Sequence, residues 1–122
     1  MKPTNVGEYV HQLNVLGQAM YRHLNDLIRL ANPEVCETLF VSNPYYYLKD
    51  YEHLKPHHRP SIMLFFFKDH VNVFAHAIKR YVPQLGMHKV TEKHTLQIDY
   101  RTPLVESVLI DLLRDSLRLP VD

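Results

Sequence analysis

From Val6 to Ala31 apolar side chains recur at Tyr9, Leu13, Leu16, Met20, Leu24, Leu27 and Ala31, with Gln12, Gln18, Arg22, Asp26 and Arg29 between them. That spacing predicts an amphipathic helix over 6–31, broken near Asn14 and stopped at Asn32, because the residue before Pro33 is pushed out of the helical region. The run "ETLFV" (37 to 41) then predicts a short strand, "SNP" (42 to 44) a turn, and "YYYL" a second, aromatic strand. Lys49 to Pro60 carries two prolines and no apolar period, and reads as a long loop. "SIMLFFF" (61 to 67) is apolar throughout, the pattern of a central strand, and a tight turn at Lys68 and Asp69 sends "HVNVFAHA" back beside it. "HTLQIDY" (94 to 100) alternates, with Leu96, Ile98 and Tyr100 on one side and Thr95, Gln97 and Asp99 on the other. The stretch between, "IKRYVPQLGMHKVTEK", reads as a crossing segment of short helix or loop. Thr102 as N-cap, Pro103 at the first helical position and a stripe of Val105, Val108, Leu109, Leu112 and Leu113 predict a last helix over 103–118. The order predicts α+β: a single domain over 1–122, with an antiparallel sheet of four to five strands and the N- and C-terminal helices packed on one face.

A two-residue loop at Lys68 and Asp69 sets Phe67 opposite His70 and separates two faces of the central hairpin. Ile62, Leu64, Phe66, Val71, Val73 and Ala75 form an aliphatic and aromatic surface suited to lie under the helices. Met63, Phe65, Phe67, His70, Asn72, Phe74 and His76 share the other side, where large apolar groups mix with side chains that require hydrogen-bond partners. Apolar walls with a few convergent polar groups describe a small-molecule pocket, and equally a subunit interface between two copies of the chain. Histidines at strand ends are also commonly just wet or bonded to backbone. Tyr45 and Tyr47, from the neighbouring strand, are placed to close over this surface, with a hydroxyl reaching His70.

Charge narrows the partners. Lysine and arginine total 14 against 13 acidic residues, a net +1, so no long-range field draws in nucleic acid or an anionic membrane. No stretch approaches the roughly 20 apolar residues of a membrane span, and "MKPTNVGEYV" has no apolar run of a signal peptide. Cys36, the single cysteine, cannot form an internal disulfide. A cytoplasmic protein is expected.

Chemistry-bearing clusters are sparse. Asp50, Glu52, His53, His57 and His58 put oxygen and nitrogen donors into one loop, a set suited to a divalent first-row metal if the loop folded around it. Lys55 and Arg59 stand among them, and Pro56 breaks the helix that the i, i+4 spacing of His53 and His57 would need. Cys36 lies between Glu34 and Glu37, which hold a thiol protonated rather than activate it. No G-x-S-x-G, phosphate loop or paired-carboxylate site occurs, so no enzymatic activity is expected. A catalytic role would fall to His70 or His76 as general base, and it would need a third group to orient the ring.

"NPYYY" at 43 to 47 followed by "FFFKDHVNVF" at 65 to 74 resembles the YdhG-like family of small bacterial proteins, largely a domain of unknown function, and "LQIDYRTPLVESVLIDLLRDSL" is similar to its last strand and helix. The resemblance runs from Tyr9 to Leu117 and carries Pro44, Tyr45 or Tyr47, Phe67, Lys68, Asp69 and His70 onto the family's motif positions. It implies little about function, because most members have no assigned activity. One branch is described as a frataxin-like iron chaperone, which would make iron the cargo. Such binding uses an acidic ridge along the first helix, whereas here that helix offers Glu8 and Asp26 with Arg22 and Arg29 nearby.

Overall fold

Two asparagines divide the first amphipathic stretch. In the computed structural model, which describes residues 2–119, α1 (Val6–His11) begins with Asn5 Oδ1 accepting from the Glu8 N–H, and α2 (Val15–Ala31) with Asn14 Oδ1 accepting from the Gly17 N–H. The expected break at Asn14 is thus a capped helix start. Asn32, with extended backbone ahead of Pro33, ends α2.

β1 (Val35–Phe40) and β2 (Asn43–Leu48) form a hairpin whose turn is Val41–Ser42, not residues 42 to 44. Asn43 is a strand residue because both ends of its side chain are engaged: Nδ2 donates to the Val41 carbonyl at 2.7 Å and Oδ1 accepts from the Tyr9 hydroxyl. Val41 and Ser42 therefore take left-handed backbone (φ 52° and 63°), the conformation a two-residue hairpin loop demands of whatever occupies it. β3 (Ser61–Phe66) and β4 (His70–Ala75) pair as predicted, with Phe66 opposite Val71 and Ile62 opposite Ala75.

β6 (Leu96–Asp99) pairs with β4, and β5 (Lys89–Val90) lies outside it, giving a fully antiparallel order β1-β2-β3-β4-β6-β5. The sheet has six strands rather than four or five. The extra one is two residues long, too short to show any alternation. The rest of the crossing segment is α3 (Ile78–Tyr81) and a 3-10 turn at Val82–Leu85. The last helix, α4 (Glu106–Ser116), starts later than Thr102 and Pro103 suggest. The Thr102 N–H bonds to the Asp99 carbonyl and the Arg101 N–H to Asp99 Oδ1, so these residues close the turn that leaves β6.

α2 and α4 pack on one face, as expected. Met20, Leu24, Leu27 and Ile28 of α2 and Leu109, Leu112 and Leu113 of α4 cover Ile62, Leu64, Val71, Val73, Leu96 and Ile98. Each such side chain contributes roughly 2 kcal/mol of hydrophobic stabilisation. The polar groups on this side are paired: Tyr46 donates to Asn25 Oδ1, while Tyr21 and Arg29 converge on Glu37. Burial, with the Glu37 charge nearby, pushes the Tyr46 and Tyr21 hydroxyls far above the usual phenol range, so both act as neutral donors. Among the described residues no helix is long and apolar enough to cross a membrane.

Candidate functional site on the outer sheet face

The opposite face presents, by strand register, Tyr45 and Tyr47 of β2, Met63 and Phe65 of β3, His70, Asn72 and Phe74 of β4, Gln97 and Asp99 of β6 and Lys89 of β5. Its centre is the β3–β4 turn, which is held from several sides. Asn14 Nδ2 donates to the Lys68 carbonyl at 2.9 Å, the Tyr100 hydroxyl to the Phe67 carbonyl at 2.5 Å, and the Tyr100 N–H to the Asp69 carbonyl. Burial pushes the Tyr100 hydroxyl up to about 12, so it stays a donor. The His70 ring is placed accordingly, stacked on Phe67 at 4.7 Å with Nδ1 2.7 Å from Asp69 Oδ1. Phe65 meets Phe74 and Phe67 edge-on, and Phe67 itself is 48% exposed.

Towards β2 the loop 49–60 folds over this face. Its two 3-10 turns, Lys49–Tyr51 and Pro56–His58, are tied down by Arg59, whose guanidinium donates to the carbonyls of Tyr51, Glu52 and Leu54 and lies 4.3 Å above the Tyr47 ring. No tyrosine hydroxyl reaches His70. Tyr45 donates to the Pro56 carbonyl at 2.9 Å and Tyr47 to Glu52, because the loop is closer to both than the far turn. A recess of about 310 Å³ remains between Phe40, Tyr45, Pro56, Met63, Phe74 and His76. His76 Nε2 lies 2.7 Å from the Arg118 carbonyl. The loop donors do not converge: Glu52 accepts from Tyr47, and the His57 and His58 rings lie against each other at 4.2 Å. Among the described residues no three histidine, cysteine, aspartate or glutamate side chains are grouped to hold a metal, so Asp50, Glu52, His53, His57 and His58 do not form a ligand set.

Towards β6 and β5 a second recess of about 340 Å³ opens beside His70 and Asp69. Gln97, Asp99, Lys89, Thr102 and Met87 line it, together with His88. His88 is 9% exposed, and neither ring nitrogen has a hydrogen-bond partner among the described residues. Its backbone N–H closes a turn onto the Leu85 carbonyl, which holds the ring in place. Burial lowers its basicity from the ordinary imidazole value, so it offers one donor and one acceptor as a neutral ring. Asn72 Oδ1, opposite Gln97 on the same face, is likewise buried without a partner.

The two recesses differ in character and place: His70 lines the one beside β6 and β5, whereas the one under the loop lies at the opposite end of β4, beside Phe74 and His76. His88 and Lys89 sit in a stretch with no readable period, and Gln97 and Asp99 register in the sequence merely as the wet side of an alternating strand. Only the pairing of β6 with β4 and β5 brings them to His70. No family model matches the chain, and neither does any curated protein or solved structure.

Proposed function

We propose that this is a non-enzymatic binding protein that takes a small polar ligand into the recess between His70 and His88. The observation that carries this reading is an open recess in which the Lys89 and Gln97 side chains have no partners among the described residues and Asp99 keeps a free carboxylate oxygen. His70, held by Asp69 and Phe67, is a ready second anchor. Cys36 is an unpaired thiol, which fits a reducing, cytoplasmic setting. Thermal-shift screening of the full chain against a metabolite panel tests the reading: hits are expected, and Lys89→Ala and His70→Ala should erase them. Light scattering at several concentrations runs alongside. A mass that doubles and reverts with Phe67→Ser would move the function to a subunit interface over Phe65, Phe67 and Phe74.

A second reading draws on Asp69, whose carboxylate beside His70 Nδ1 supplies the orienting group that a histidine base needs. In that case the bound ligand is turned over, and His70→Gln abolishes turnover while leaving affinity in place. Chromatography of the ligand after incubation distinguishes the two.

A further inference from the structure

Away from the outer sheet face, α3 is tied to the end of α4, and the ties gather positive charge. The Ala77 N–H donates to Ser116 Oγ at 3.3 Å, the Tyr81 hydroxyl to Asp115 Oδ2 at 2.6 Å, and His76 Nε2 to the Arg118 carbonyl at 2.7 Å. Arg80, the neighbour of Tyr81 on α3, is thereby brought to Arg114 in the last turn of α4 and Arg118 just beyond it. With Asp115 and Leu119 these arginines line a recess of about 230 Å³, which shares no residue with either recess of the sheet face. All three arginines are exposed, so their guanidinium groups are within reach of solvent and of anything dissolved in it.

A cation at the C-terminal end of a helix complements the helix dipole, and that accounts for Arg114 and Arg118. It does not account for Arg80, which comes from a helix of four residues. Nor are the charges neutralised in place. Arg114 gives one of its five donors to Asp111 Oδ1 at 3.1 Å, whereas Arg80 and Arg118 have no ion-pair partner among the described residues. Asp115, the one acid in the lining, has Oδ2 held by Tyr81 and pairs with none of the three. Three guanidinium groups around one recess repel one another, and an anion between them removes the repulsion. A cation is excluded by the same charges, and a neutral molecule leaves the repulsion as it was. Among anions the count of oxygens decides. Each guanidinium is a planar fork of donors, and three forks arriving from two elements are met by the three oxygens of a terminal phosphate, whereas a carboxylate offers two. The volume is below the roughly 300–1,000 Å³ typical of pockets that enclose a whole ligand, so the recess takes a group and leaves the remainder of the molecule outside, over the exposed Leu119. We propose that the recess between α3 and the end of α4 binds a terminal phosphate group, free or at the head of a small phosphomonoester, through Arg80, Arg114 and Arg118. This site is independent of the ligand-binding role proposed above.

The test is calorimetric titration of the full chain, in a buffer of low ionic strength, with inorganic phosphate, with glycerol 3-phosphate and, as the carboxylate control, with acetate. Saturable heat is expected from the phosphates, and acetate should bind about tenfold more weakly. Either phosphate upholds the proposal, and the tighter of the two names its source. Arg80→Gln and Arg118→Gln should each weaken that binding about tenfold. Arg22→Gln removes the same charge from the exposed face of α2, outside the recess, and should leave it unchanged. Thermal unfolding checks each variant, and all three side chains are exposed, so the fold should survive their replacement. Acetate binding as tightly as phosphate overturns the ligand class. Phosphate binding that Arg80→Gln and Arg118→Gln weaken no more than Arg22→Gln does is a response to net charge, and it overturns the location. Silence from both phosphates overturns the site itself.

Discussion

The two halves of the outer sheet face are built from similar side chains and end in opposite states. Under the loop 49–60 the polar groups are matched from within the chain: Tyr45 by Pro56, Tyr47 by Glu52, Arg59 by three carbonyls and an aromatic ring. Beside β6 and β5, His88 and Asn72 are left with buried polar atoms that have no partner among the described residues. Both halves contain a cavity of similar size. What separates them is whether the polar groups packed around the cavity are already satisfied, since volume does not distinguish the two halves.

The largest test of that contrast is Arg59→Ala. It removes a charged donor from three loop carbonyls and a cation from the Tyr47 ring. Urea denaturation should show a loss of about 3 kcal/mol, since hydrogen bonds to charged groups are worth roughly 1.5–3 kcal/mol each and are not additive. Arg59→Lys should recover little, because a point charge cannot reproduce the planar fork. A loss well under 1 kcal/mol would mean that the loop is held elsewhere and that the closed half is not closed by its polar contacts.

Tyr45→Phe comes next. The ring is 3% exposed, and deleting its hydroxyl leaves the Pro56 carbonyl without that donor. About 1.5 kcal/mol should be lost in the same measurement. The open half should respond with the opposite sign. His88→Leu replaces two unpaired ring nitrogens by methyl groups of similar bulk, and the unfolding free energy should rise by about 1 kcal/mol. A destabilised His88→Leu variant would indicate that the imidazole is satisfied in solution, and the asymmetry between the halves would vanish.

Much of this architecture is legible in the residues. Asn14 breaks the first helix where its side chain can cap the second, and the Lys68–Asp69 turn sets a register that places Phe65, Phe67, His70, Asn72 and Phe74 on one face. Such features are local, decided by spacing and turn length. The features that escape are those settled by distant partners. Thr102 has the makings of an N-cap, but the exit from β6 claims its backbone. Tyr45 and Tyr47 seem aimed at His70 only while the loop has no shape; once Arg59 folds the loop, nearer acceptors win. β5 is two residues long, and His88 is buried by a turn onto Leu85 rather than by any period. The candidate site is therefore half visible: the β4 side is written in an alternation, and the β5 side appears only when the sheet is assembled.

The smallest expected effect is a pH dependence that belongs to the open half alone. Burial disfavours charge on His88, so the folded chain holds this imidazole below its ordinary value of 6.5, and the unfolded chain takes up the proton first. Stability from this residue is complete above about pH 7.5, where both states are neutral. It falls as the pH drops through 6.5 and levels off once the folded protein is protonated as well. Asp69, His70, Lys89 and Asp99 face the same recess. Of these, Asp69 has its carboxyl lowered from 3.8, chiefly by the hydrogen bond from His70, so its contribution begins to be lost only below that value. Glu8, lowered from 4.5 by hydrogen bonds from Thr4 and outside the lining of this recess, behaves in the same way. The two windows are separate, and His88→Leu should flatten the upper one while leaving the lower one intact. Melting temperatures of the wild type and the variant between pH 3 and 8 read the difference directly. Parallel curves would mean that water already reaches the ring, and that the open half of the face is as complete as the closed one.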